Sequence, residues 1–227
     1  MASKFIGLIR QLGWDQFTGN PTAQELKMMQ QVAAGASGTV GMAAVKSSFK
    51  VHFGGKNPDE PVLIPAPGGS GFTLGDDVVV TAIFDQTGSW KRIDPLTAKG
   101  AELLLDHERG HYDLTALMAR DCFIDLMQLK AKTFSSQADG QAAARDIVKT
   151  YKDKLEKIQK KYDDDTIHGA WVTPTMGPER KETFQTKWEM YITRARTLER
   201  NPAMIAPDGA SYKVRILDVL ADGGFIF

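Results

Sequence analysis

From Asp94-Pro95 to about Lys130 no further proline interrupts the chain, and Leu103, His107, His111, Leu114 and Met118 recur along it at spacings of three and four. Whatever fold this chain adopts must therefore accommodate a long helix, with Asp94 as its cap and Pro95 in its first turn. The apolar stripe faces the interior, and two of its members are imidazoles. A buried polar group without a partner costs on the order of 1–3 kcal/mol, so His107 and His111 need either hydrogen-bond partners or a metal ion.

The residue between them narrows the choice. His107-Glu108-Arg109-Gly110-His111 is an H-E-x-x-H pentad. Positions i and i+4 lie one above the other on a helix, so both imidazoles can reach a single metal ion at about 2.0 Å. Glu108 is turned roughly 100° around the axis. It is poorly placed as a ligand and well placed to reach a water beside the metal, which makes it the candidate general base. Two ordinary core histidines beside a solvated glutamate are the plainer explanation, but these residue types at this spacing favour the metal. Gly110 weakens a helix interior by about 1 kcal/mol relative to alanine. It fits either the close approach of another backbone or a packing need.

Composition sets bounds on what surrounds such a site. With 227 residues, 42% of them hydrophobic, and no long apolar run, the chain reads as one domain over 1–227 with no membrane span. Lys plus Arg and Asp plus Glu number 28 each, so no global basic field recruits nucleic acid. The lone Cys122 excludes an internal disulfide, and a zinc site must draw on histidines and carboxylates. Phe5-Ile6-Gly7-Leu8-Ile9 is too short for a signal-peptide core, so no Sec-type signal is legible.

Thr22-Ala23-Gln24-Glu25 predicts a capping box that opens a helix ending near Gly35. Val45 to Phe53 alternates apolar and polar residues as a half-buried strand does, with His52 on the polar face as a surface residue; Val78 to Phe84 is the strongest strand. Gly54 to Gly71, with four prolines, predicts a loop. A second amphipathic helix runs from Gln141 to Tyr162, ending at Asp163-Asp164-Asp165, where the helix dipole disfavours acid. A short loop then carries His168. A helix from Pro178 to about Arg200, a late strand from Tyr212 to Ile216 and the tail Phe225-Ile226-Phe227 follow. Helices interleaved unevenly with strands predict α+β: an active-site helix on a mainly antiparallel sheet, with further C-terminal helices.

A catalytic zinc needs three protein ligands and a water. His168, the only histidine downstream of the pentad, is the first candidate for the third, and nearby carboxylates could orient its ring. Asp163 or Asp165 and the helix-borne Glu182 or Glu189 stay open as alternatives. Asp113 or Asp165 could hold a ligand imidazole by its other nitrogen. Tyr162 is a candidate oxyanion donor, against a core tyrosine on the helix stripe. The metzincin pattern is excluded, because Leu114 and Leu117 stand where it needs glycine and histidine.

Three blocks bear a resemblance to a known family: Leu12-Gly13-Trp14-Asp15-Gln16-Phe17-Thr18-Gly19, then Ser89-Trp90 with Leu104 to Thr115, and Tyr162-Asp163-Asp164-Asp165-Thr166-Ile167-His168-Gly169. In that order they resemble bacterial domain-of-unknown-function family 922, predicted secreted zinc-dependent proteases, over roughly residues 10 to 190, leaving residues 200–227 as an extension. Arg109 stands where that family's pattern has glutamine. The resemblance implies a zincin-like fold, a metallopeptidase role, His168 as a zinc ligand and a secreted or periplasmic location. The expectation is thus a zinc-dependent hydrolase of peptide or protein substrates, with zinc on His107, His111 and His168, Glu108 as base and Tyr162 assisting. Its rivals are a non-catalytic module stapled by zinc and a zinc amidase acting on a cell-wall amide. Oligomeric state is not legible.

Overall fold

The computed structural model describes residues 3–7, 11–35, 41–94, 96–166, 178–197 and 214–227; side chains of 32–35 and 178–184 are left aside. Its axis is α2, Ala98–Lys130, a helix of 33 residues and about 50 Å long at 1.5 Å per residue. Leu114 through Phe123 are all buried, which a helix tolerates only when other elements cover it on every side. On one side lies a sheet of β1 (Lys4–Ile6), β6 (Val79–Phe84) and β3 (Ser47–His52), in the order β1-β6-β3. On the other lie α3 (Gln137–Thr166), α4 (Pro178–Ala195) and α5 (Ile216–Asp222).

The architecture is mixed α and β, as the sequence predicts, with two departures in the sheet. The β3–β6 pair is antiparallel, but β1 runs parallel to β6. The stretch read as a loop contains β4 (Leu63–Pro65), which pairs antiparallel with β5 (Phe72–Leu74). Prolines and glycines hid this short ribbon, whose Phe72 also exchanges backbone hydrogen bonds with Phe134. β2 (Met42–Ala44) and β7 (Trp90–Arg92) form a further antiparallel pair.

The helix boundaries have local causes. α1, Ala23–Gly35, opens with the expected capping box: Thr22 N donates to Glu25 Oε2 at 2.7 Å, and Glu25 N donates to Thr22 Oγ1 at 3.3 Å. α2 starts later than Asp94-Pro95, because Thr97 is its cap and accepts from Gly100 N at 3.1 Å. α3 does not stop at Tyr162. It continues through the three aspartates to Thr166, with Lys160 and Lys161 pairing to Asp164 and Asp165 one turn on; these pairs offset the unfavourable dipole. α4 ends at Ala195, short of Arg200.

The expected late strand is not formed at its described end: Ile216 opens α5, while Tyr212 and residue 213 lie outside the described part. A buried ion pair holds this end of the chain. Arg120, 3% exposed, donates to Asp121, to Ala195 O at 2.7 Å and to Val214 O at 3.2 Å, and Asp121 Oδ2 accepts from Ile216 N at 2.8 Å. The pair thereby satisfies the last carbonyl of α4 and the first amide of α5, groups a helix cannot satisfy internally. Burial pushes the Asp121 carboxyl up to about 6 against the pull of Arg120. Among the described residues no helix is long and apolar enough to cross a membrane.

Candidate metal centre

α2 and α3 are joined by residues 131–136, a connection so short that the helices return alongside each other as an αα-hairpin. That return sets the C-terminal turns of α3 against the pentad. His107 Nε2 lies 3.1 Å from His111 Nε2, and Asp163 Oδ1 lies 2.9 Å from His111 Nε2 and 3.4 Å from His107 Nε2. Zinc ligands at 2.0–2.1 Å in a tetrahedron stand roughly 3.3 Å apart. The three atoms therefore have the spacing of one face of a metal's coordination shell.

Electrostatics point the same way. Burial holds the His107 imidazole below its ordinary value. For His111 burial also acts to lower it, but Asp163 and Glu108 outweigh burial and raise it. Burial would raise Asp163, yet the two imidazoles hold its carboxyl well below the usual carboxylate range. Electron-pair donors this close repel one another unless a cation, a proton or a metal ion, sits among them.

Each imidazole is held from behind. His107 Nδ1 meets Thr166 Oγ1 at 3.1 Å, and His111 Nδ1 meets Gln159 Oε1. The Tyr162 ring stacks on His107 with centroids 4.8 Å apart and planes 8° apart. Glu108, 2% exposed, accepts from Val45 N at 2.7 Å through Oε2. It lines a cleft of about 730 Å³ together with His107, His111 and Asp163. The other walls are Glu25 and Met28 of α1, the stretch from Met42 to Phe49, Trp90 of β7, and Lys152, Leu155, Glu156 and Gln159 of α3.

The pentad is thus brought together as a cluster with Asp163, one of the alternatives left open by the sequence; His168, the first candidate, lies outside the described residues. Glu182 has no described side chain, and Glu189 is exposed, accepting from Gln185 at 3.1 Å. Asp165 is committed elsewhere, to Lys161 and to Trp188 Nε1 at 3.0 Å, and Asp113 pairs with Arg196. Among the described residues, neither is bonded to the His107 or His111 ring. Tyr162 is fully buried, and its hydroxyl donates to His107 O at 3.1 Å. It packs on the His107 ring and is not among the residues that line the cleft. Burial pushes its hydroxyl well above the ordinary tyrosine value.

Gly110 has its reason in the same contact: a Cβ there would stand 2.2 Å from the Tyr162 hydroxyl oxygen, so what approaches closely is a side chain and not a backbone. His52 ends β3 half-buried and takes no part in the cluster. Sequence reasoning missed Gln159, Thr166 and the Val45 amide. The first two had a signal, since Gln159, Asp163 and Thr166 are spaced by four and three along one stripe once α3 is carried past Tyr162. A backbone amide leaves no such trace. In comparison with known proteins, no family model, no curated protein and no solved structure matches this chain.

Proposed function

We propose that the chain is a zincin-like, zinc-dependent metallopeptidase in which His107, His111 and Asp163 hold the metal and Glu108 is the general base. The observation that carries this reading is the triangle of two imidazole nitrogens and one carboxylate oxygen at 2.9–3.4 Å, opening on a cleft that also holds Glu108. Two histidines and a carboxylate leave a fourth position for water, the arrangement of catalytic rather than structural zinc. When bound, the metal would polarise a substrate carbonyl and lower the pKa of a water beside it toward neutrality. Glu108, anchored through Oε2 on the Val45 amide, would take a proton from water in the cleft on its other oxygen and pass it to the leaving amine.

The cleft favours an extended polypeptide. β3 is the outer strand of its sheet, and Ser47, Ser48 and Phe49 line the cleft, so a substrate segment can add to that edge. The amidase reading shares the metal and the base and differs only in what occupies the cleft. The staple reading requires a fourth protein ligand, and His168 is the residue to supply it.

Purified protein should carry about one zinc per chain, measured by elemental analysis, and His111→Ala and Asp163→Ala should lose it while His168→Ala keeps it. Glu108→Gln should keep zinc and fold but lose about 10²–10⁴-fold in cleavage of a peptide library or denatured protein. Zinc retained in Asp163→Ala and lost in His168→Ala would return the ligand role to His168. A parent without turnover on peptides or cell-wall amides, together with metal loss in Glu108→Gln, would sink the enzyme reading.

A further inference from the structure

The face of α3 that carries Asp163 also carries two residues that no catalytic role has absorbed. Gln159 and Thr166 stand one turn before and one turn after it, behind the two imidazoles. We infer that Gln159 and Thr166 are positioning residues that keep a proton on Nδ1 of both histidines, so that Nε2, and not Nδ1, is the nitrogen each ring offers to a metal. The inference rests on the metal reading of the cluster and adds a mechanism by which the cluster is assembled.

The direction of each hydrogen bond fixes where the ring proton sits. Gln159 Nε2 donates to His111 O at 2.8 Å and to Thr115 Oγ1 at 3.0 Å. A backbone carbonyl can only accept, so this end of the amide is the NH₂ and the atom facing His111 Nδ1 is the carbonyl oxygen. That oxygen requires a proton on Nδ1. Thr166 repeats the logic with a hydroxyl: it donates its single proton to Tyr162 O at 2.6 Å, which leaves only lone pairs for His107 Nδ1 at 3.1 Å. Both imidazoles, once neutral, are then bare at Nε2. The Thr166 site is enclosed, since Thr166 is 4% and His107 2% exposed, and water cannot readily substitute for the hydroxyl there.

A ring free to flip between tautomers would present the wrong nitrogen part of the time. Outer partners of this kind are typically worth 10–100-fold in metal affinity. The block Tyr162-Asp163-x-x-Thr166 thereby acquires a physical meaning: the tyrosine stacks on one imidazole, the aspartate closes the triangle and the threonine holds a proton in place.

The test is long-range proton–nitrogen NMR of the histidines, with zinc affinity by competition against a chromophoric chelator. In the zinc-loaded parent both rings should show a protonated Nδ1 and a metal-bound Nε2. Thr166→Val should lose the hydrogen-bonded Nδ1 proton of His107 alone, and Gln159→Leu that of His111 alone, each with 10–100-fold weaker zinc. Thr166→Ser should restore both readouts, which a purely space-filling role would not explain. Unchanged Nδ1 resonances and affinity in Thr166→Val and Gln159→Leu would overturn the inference while leaving the metal site standing. Should the parent bind no zinc, the metal reading fails by itself. The same spectra on metal-free protein in mildly alkaline solution then decide, because an Nε2–H tautomer at either ring refutes the lock. If a variant fails to fold, the parent spectrum alone makes that decision.

Discussion

Gly110 shows how a single missing methyl group can set a site. The Tyr162 ring occupies the space above it, its hydroxyl oxygen 2.2 Å and its Cζ 2.7 Å from where a Cβ would be. That ring is fully buried between His107, His111 and Trp188, and it has nowhere to withdraw. Gly110→Ala gains helix propensity worth about 1 kcal/mol, but overpacking of a filled core costs typically 1–3 kcal/mol. The net expectation is a lower melting temperature and weaker metal binding. Tyr162→Phe removes the nearest atom of the clash, so the double variant Gly110→Ala/Tyr162→Phe should be less unstable than the two single losses added together. Strict additivity in thermal melts would mean that the contact is not what matters at Gly110.

At the scale of elements, the sequence was most legible where periodicity ran long. The helix bearing the pentad, the capping box of α1 and the strand ending at Phe84 were all readable, because each imposes its own pattern regardless of what packs against it. What escaped depended on partners distant in the chain. The final turn of α3 looks forbidden for three aspartates until Lys160, Lys161 and the two histidines are placed beside it. β4 and β5 are too short to show alternation. Asp163 was visible as an option but not as a choice, because only the α2–α3 hairpin sets it opposite His111.

The capping box of α1 also has a reach beyond its own helix. Glu25 binds Thr22 and, through Oε1, the ammonium of Lys46 at 2.8 Å, tying α1 to the strand connection that carries Val45. Burial works to raise this carboxyl, but Lys46 and Thr22 prevail and hold it at about 2, against 4.5 for the unperturbed group. The folded value lies below the unfolded one. The stabilisation is therefore complete above pH 4.5 and fades as pH falls through about 2. Thermal melts of the parent and Glu25→Gln should differ at neutral pH and converge as the solution is acidified through that window. A gap that persists undiminished at pH 2 would show that the charge on Glu25 contributes nothing.

For the molecule as a whole, a metal held by α2 and α3 as proposed would add to folding stability as any ligand of the native state does. With zinc at a thousand times its dissociation constant the gain is about 4 kcal/mol, and in a domain of this size each kcal/mol moves the melting temperature by roughly 2–4 °C. Chelation should therefore lower the melting point of the parent by roughly 8–16 °C. Glu108→Gln should respond like the parent and Asp163→Ala should not respond at all. A melting point indifferent to both zinc and chelator would argue against a native metal site. The buried Arg120–Asp121 pair is remote from that balance, because its partners are the ends of α4 and α5.

His111 and Asp163 are 52 residues apart in the chain. An unstructured chain that captured a metal on its two histidines could recruit the aspartate only by closing a loop of that length. Loop closure on this scale carries an entropy cost of about 4 kcal/mol, a factor of roughly a thousand in affinity. The folded hairpin has met that cost in advance, so discrimination between native and unfolded protein by the metal is a matter of chain statistics as much as of ligand chemistry. During synthesis the two imidazoles emerge well before their partner. On the proposed metal site, a growing polypeptide would have to complete and fold back α3 before it could hold the ion firmly, which would make metal loading one of the last events in its maturation.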